Sequence, residues 1–211
     1  MWSFSGAAME LESVLLLANS STLIVCMILK FPQIVTVIAA KNAWGLSVRS
    51  LLLELIGFLV FLTYQTYYEY PLATYLEYPI LIAQDAILLM CVLFYNGNIG
   101  TALPYAVLFI IGWRLLTIHR LIIDLAMNLS TYISALSKYA QLQTLWKARN
   151  SDQVSALTWS FAIYTTGTRV FTTLMTTQDT AVIIRYVVLC LLNVWVLTTI
   201  IYYRKTGKKE E

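Results

Sequence analysis

Charge is scarce in this chain. Of 211 residues only 12% are Asp, Glu, Lys or Arg, 59% are hydrophobic, and the mean hydropathy is +0.72, a composition that excludes an ordinary water-soluble domain. Histidine occurs once and cysteine three times. Cys26, Cys91 and Cys190 each lie inside an apolar run with neither metal-ligand spacing nor a disulfide framework, so they read as helix-packing residues. There is no phosphate loop and no nucleophile elbow, so the sequence gives no support to an enzyme and calls for no cofactor or metal. A net charge of +3 needs no nucleic-acid partner. The first apolar stretch has no basic residues before it and carries Glu10 and Glu12 instead, so no cleavable signal peptide is expected and the first span is retained.

Long apolar runs are abundant. A membrane helix needs about 20 mostly apolar residues, and such runs fall at 11–29, 50–68, 79–95, 102–118, 125–146, 155–175 and 182–203. The expected fold is therefore an all-α membrane protein with seven transmembrane helices. His119, Arg120 and Asp124 crowd the junction of the fourth and fifth runs and blur both edges. Lys41 and Arg49 follow the first run, Lys147 and Arg149 the fifth, and Arg204, Lys205, Lys208 and Lys209 the seventh. This bias toward one face places the C-terminus in the cytosol and the N-terminus in the lumen. On a cytosolic tail, Lys208-Lys209-Glu210-Glu211 resembles the dilysine signal for return to the endoplasmic reticulum; the alternative is a basic cluster that anchors the last helix to anionic lipid.

The chain also repeats itself. "KFPQIVTVIAAKNAWGLS" from Lys30 aligns with "KYAQLQTLWKARNSDQVS" from Lys138 at a constant offset of 108 residues. Lys, Gln, Thr, Ala, Asn and Ser recur at Lys30, Gln33, Thr36, Ala40, Asn42 and Ser47 and at Lys138, Gln141, Thr144, Ala148, Asn150 and Ser155. The same offset takes Tyr78 to Tyr186 and Leu89 to Leu197, so the repeated unit is a three-helix block. Two direct copies of three helices share one orientation only if an odd number of spans joins them. The expected arrangement is 3+1+3, two parallel repeats, with bundles at 1–100 and 125–203, a linker helix at 101–124 and a tail at 204–211.

A Pro-Gln pair at the cytosolic end of the first span, a short basic loop and a second copy starting at the fifth span resemble the PQ-loop membrane protein family. The resemblance covers nearly the whole chain and implies seven spans, a lumenal N-terminus and a role in moving or recognising small solutes in endomembranes. One departure is Ala140, which stands where the family pattern places proline. Proline removes a backbone donor and bends or ends a helix, so Pro32 is either a one-sided hinge or the terminator of the first span. Lys30 with Gln33, and Lys138 with Gln141, each share a helix face and form either a cytosolic gate or an interfacial anchor.

Asp85, within "PILIAQDAILLMCVLFY", is the sharpest candidate, because an acid deep in an apolar run is costly and by default functional. Its repeat partner is Asn193. The resemblance implies that this pair takes the place of the third-helix and seventh-helix asparagines with which SWEET proteins hold a sugar. Asp85 then binds a hydroxyl-rich or cationic solute and exchanges a proton; the alternative is a structural ion pair with Lys138, Arg169 or Arg114. Gln84 and Trp195 neighbour the pair. Arg169, Trp159 and Tyr64 are further cavity candidates, Arg169 near the lumenal mouth and the aromatics as stacking surfaces or interfacial belt residues. Glu54 is expected at the interface beside Arg49. The sequons at Asn19 and Asn128 lie in or beside spans and are not expected to carry glycans.

Three functions fit these residues: a transporter of a small polar solute by alternating access, a receptor or accessory protein for a lipid-linked sugar or cargo signal, and a structural membrane partner. The partners implied are a small solute, protons and the lipid bilayer; a homo-oligomer is compatible with the sequence.

Overall fold

The computed structural model describes residues 2–41, 48–148 and 156–207. The repeat pairs Asn42/Asn150 and Ser47/Ser155 and the dilysine segment Lys208 to Glu211 lie outside them, as do the side chains of Pro32, Gln33, Ala140 and Gln141. The described chain is almost wholly helical. Seven α-helices follow in order: α1 Trp2–Ala40, α2 Val48–Tyr67, α3 Glu77–Tyr95, α4 Ala102–Leu116, α5 Arg120–Ala148, α6 Ala156–Met175 and α7 Thr180–Gly207, with single 3-10 turns at Leu72–Thr74 and Ile99–Thr101. Each expected run corresponds to one helix. Among the described residues, four helical stretches are long and apolar enough to cross a membrane: Met9–Ile28, Glu77–Tyr95, Ile99–Leu116 and Thr180–Tyr203.

α2 holds a shorter apolar stretch, Leu51–Tyr67, and α6 shows how a more polar helix can do without water. Its threonines donate to backbone carbonyls one turn back: Thr166 to Ala162 at 2.6 Å, Thr168 to Tyr164 at 2.8 Å and Thr172 to Arg169 at 3.3 Å. These hydroxyls lower the hydropathy of the sequence, yet they are satisfied within the helix.

α1 corrects one alternative read from the sequence. Its helical backbone runs through Pro32 to Ala40, so Pro32 lies inside the helix and does not end it. The carbonyl of Ile28 loses its usual donor there. The helix stops at Lys41, whose left-handed backbone, φ 49°, cannot continue a right-handed helix. Glu69 at φ 53° and Gly97 at φ 71° follow the ends of α2 and α3 in the same way. The amides that come after them, at Tyr70 and Asn98, close back onto Gln65 and Leu93 at 3.1 and 2.8 Å, the closure that satisfies terminal helix carbonyls.

The chain divides into two compact units, Leu23–Ser130 and Met1–Thr22 with Thr131–Glu211, whose boundaries fall inside α1 and α5. In the first unit the core is Val37, Leu51, Leu55, Leu88, Leu89, Val92 and Leu93, flanked by Ile34 and Val48. In the second it is Leu142, Leu145, Val196 and Ile200, flanked by Ala156 and Trp159. The 108-residue offset maps one core onto the other: Ile34, Val37, Leu88 and Val92 onto Leu142, Leu145, Val196 and Ile200, with Val48 and Leu51 falling on Ala156 and Trp159. Both halves thus build their interiors from equivalent positions. α4 contributes no buried residue, and its Leu103, Leu108 and Ile110 are exposed, as befits an apolar helix whose solvent is lipid.

Candidate functional site

In the Leu23–Ser130 unit, three helices each bring one charge to a common point. Asp85 of α3 is completely buried, and its Oδ1 accepts a hydrogen bond from the Lys30 ammonium of α1. The same Nζ lies 2.8 Å from Oε2 of Glu54 on α2 and 5.5 Å from the centroid of the Phe58 ring. One cation therefore serves two acids against an aromatic face. A buried carboxylate is stable in this setting only because it is paired; α1 supplies the lysine that pairs it, and α2 supplies a second acid that shares that lysine.

The pairing remains incomplete. Asp85 Oδ2 is buried and has no hydrogen-bond partner among the described residues. Gln84, the preceding residue, donates from Nε2 to the Met27 carbonyl of α1 at 3.0 Å, while its Oε1 is likewise buried and unpartnered among the described residues. The unfilled positions are acceptors. The group that completes them must donate, whether it is a proton, an ammonium, a hydroxyl or water.

Two sequence expectations change here. The cation facing Asp85 is Lys30, which had been grouped with Gln33, and not Lys138, Arg169 or Arg114. Glu54, expected beside Arg49 at the interface, lies against Lys30. Helix rotation explains both: which faces of α1, α2 and α3 converge is fixed by packing around Leu88 and Val92, and a run of uniformly apolar residues carries little information about it.

The equivalent positions in the other unit are chemically different. Lys138 Nζ sits 4.6 Å from the centroid of the Trp159 ring, a cation–π contact, and Trp159 packs on the Leu142 and Val196 core. Asn193, nearly fully buried, donates from Nδ2 to the Ala162 carbonyl at 3.4 Å, and its Oδ1 has no partner among the described residues. Ala162 occupies the repeat position of Glu54, and Asn193 that of Asp85. The acidic pair of one repeat is thus replaced by a neutral amide and a backbone carbonyl in the other.

Arg169 is buried, and its Nη1 donates to Asn19 Oδ1 of α1 at 2.6 Å. Tyr164, five residues earlier on α6, reaches Ser21 at 2.7 Å, so both bonds tie α6 to the first half of α1. Asn19, the sequon residue, is engaged as the acceptor of a buried guanidinium. Tyr64 is buried with its ring 4.8 Å from that of Tyr68. Trp195 is half-exposed and its ring lies 5.7 Å from Trp146.

One cluster escaped the sequence reading. Tyr68, just beyond α2, donates to Asp124 at 2.6 Å and accepts from Arg120 Nε at 3.0 Å. The Arg120 guanidinium also lies 5.5 Å from the Tyr68 ring centroid. Arg120 and Asp124 are one helical turn apart, a spacing visible in the sequence; that the tyrosine after α2 joins them is visible only in the fold.

Comparison with known proteins agrees with this architecture. Residues 16–72 match the PQ loop repeat. The chain is 58% identical over 202 residues to human solute carrier family 66 member 3, covering 95% of this chain and 100% of that protein. Among solved structures, a eukaryotic SWEET transporter superposes with a TM-score of 0.69 over 91% of this chain and 99% of its own, at 12% identity, a likeness of fold. With more than half its residues shared along nearly its whole length, the chain belongs to solute carrier family 66 of the PQ-loop repeat proteins.

Proposed function

We propose that this protein is an endomembrane transporter of a small polar solute, with Asp85 as the group that binds solute and exchanges a proton. The observation that carries the reading is the fully buried Asp85, whose one oxygen is held by Lys30 and whose other has no partner among the described residues. A purely structural carboxylate would be expected to fill both oxygens, since each unfilled buried acceptor costs about 1 to 3 kcal/mol. Membership of a solute carrier family and the SWEET-like fold support the same reading.

In this reading seven spans form two parallel three-helix repeats, 1–100 and 125–203, joined by an inverting helix at 101–124. The N-terminus is lumenal and the C-terminus cytosolic. The resemblance of Lys208-Lys209 to a dilysine signal favours the endoplasmic reticulum among the endomembranes. Asp85 is the solute-binding group of the first repeat and Asn193 its counterpart in the second, and alternating access is the mode of transport. Pro32, inside α1, is a joint for this motion that α5 lacks, because Ala140 stands at the matching position; motion is therefore expected to be larger in the first repeat. Lys30 and Gln33, with Lys138 and Gln141, line its cytosolic end.

The test is flux in reconstituted vesicles. Asp85→Asn keeps the size and a hydrogen-bonding group but removes the exchangeable proton, and is expected to reduce solute uptake driven by a proton gradient at least tenfold while the protein stays folded. Undiminished flux would overturn the assignment of Asp85. A receptor for a lipid-linked sugar or cargo signal would show ligand-dependent thermal stabilisation with no flux for any solute.

A further inference from the structure

The cluster around Lys30 has the makeup of a cation site already filled by the protein's own side chain. Two carboxylates, Glu54 and Asp85, and the face of Phe58 surround a single ammonium, and acids with an aromatic ring are the groups that recognise alkylammonium ions. The three charges sum to minus one. Asp85, completely buried, still has an unfilled acceptor at Oδ2, so one more donor is called for. Glu54 has a side chain 41% exposed, against 14% for Lys30, so the cluster opens on the Glu54 side.

The other repeat keeps the lysine and loses the acids. Lys138 rests on Trp159, and the positions matching Glu54 and Asp85 are Ala162 and Asn193. Acids at these two positions are therefore particular to the first repeat.

Building on the transporter reading, we infer that the solute carries a primary ammonium or similar compact cationic donor, which binds between Glu54 and Asp85 in competition with the Lys30 ammonium. Lys30 is a tethered stand-in for the solute. It holds α1, α2 and α3 together when no solute is bound and withdraws along its flexible stem when one enters. A neutral or anionic solute cannot displace it, so the exchange selects for charge.

Propylammonium is the probe, with propanol and propionate as its neutral and anionic counterparts, tested by thermal shift on the purified full chain in detergent. Propylammonium is expected to raise the melting temperature in a saturable way and its counterparts are not. In Lys30→Met the competitor is gone, so propylammonium binds at least tenfold more tightly; if that variant loses its fold, millimolar propylammonium restores it. Glu54→Gln keeps the Lys30–Asp85 pair and the fold but loses the propylammonium response. Equal shifts from propylammonium and propanol, a Glu54→Gln protein that responds like the wild type, or a Lys30→Met protein that neither tightens nor is rescued would each overturn the inference. Flux that depends on Asp85 for a solute without a cation would overturn the ammonium assignment and leave the transporter reading intact. Propylammonium binding with no flux of any solute would overturn the transporter reading alone.

Discussion

The two oxygens of Asp85 stand in different circumstances, one held by Lys30 and one without a partner among the described residues, and the chemistry proposed for this protein follows from that difference. The sequence revealed the acid, because a charge within an apolar run stands out. It did not reveal the partner: Lys30 is 55 residues away, and pairing depends on helix rotation. Arg169 raises the same issue with the opposite charge. Read from the sequence as a cation near the lumenal mouth, it is buried on Asn19. Asn19→Ala removes an acceptor from a buried guanidinium and is expected to lower stability by about 1 to 3 kcal/mol, with the lower end favoured if the membrane-embedded unfolded chain finds other partners. Asn19→Asp, which keeps an acceptor, should lose less. A melting temperature unchanged in Asn19→Ala would show that Arg169 is held by other contacts. Tyr68→Phe, which removes the hydroxyl shared by Asp124 and Arg120, should likewise lower the melting temperature, by the equivalent of about 1 kcal/mol for the bond to Asp124.

Among the elements, the existence of each helix was legible and its ends were less so. Apolar runs long enough to cross a bilayer specify helices because a backbone in lipid must satisfy its own hydrogen bonds. α1 exceeded expectation because the same condition disfavours stopping: once the chain is helical through Ile28, continuing past Pro32 loses one hydrogen bond, whereas ending there would leave the last four carbonyls without donors. The ends of α1, α2 and α3 are fixed where Lys41, Glu69 and Gly97 adopt a left-handed backbone, and of these three the glycine does so without a side-chain penalty. A Cβ at Gly97 would meet nothing within 4 Å, so Gly97→Ala isolates the backbone cost. The expected loss is about 1 kcal/mol, read as a lower melting temperature with unchanged ligand response. A neutral outcome would mean that the turn after α3 relaxes without cost.

At the scale of the whole molecule, repeat and packing divide the chain differently. The repeat runs from Lys30 and again from Lys138, and each position of the second core falls on a position of the first at the 108-residue offset. The compact units instead cut through helices: Met1–Thr22 belongs with Thr131–Glu211, and the start of α5 belongs with Leu23–Ser130. Sequence similarity between repeats cannot show this, since it reports which positions are equivalent and not which partner each half-helix packs on. The physical consequence is that cutting the chain in the turn between α4 and α5, at Ile118, leaves neither fragment with a complete unit. The N-terminal fragment carries Asn19 and Ser21 without the Arg169 and Tyr164 they bind; the C-terminal fragment carries Arg120 and Asp124 without Tyr68. Expressed singly, each fragment is expected to aggregate or be degraded, because buried polar groups that have lost their partners are costly in lipid. Co-expressed, the two should purify together as one monodisperse species with the thermal stability of the full chain reduced only by the broken connection. A C-terminal fragment that is monodisperse and melts cooperatively on its own would show that the second repeat is self-sufficient, and that the first half of α1 is dispensable to it.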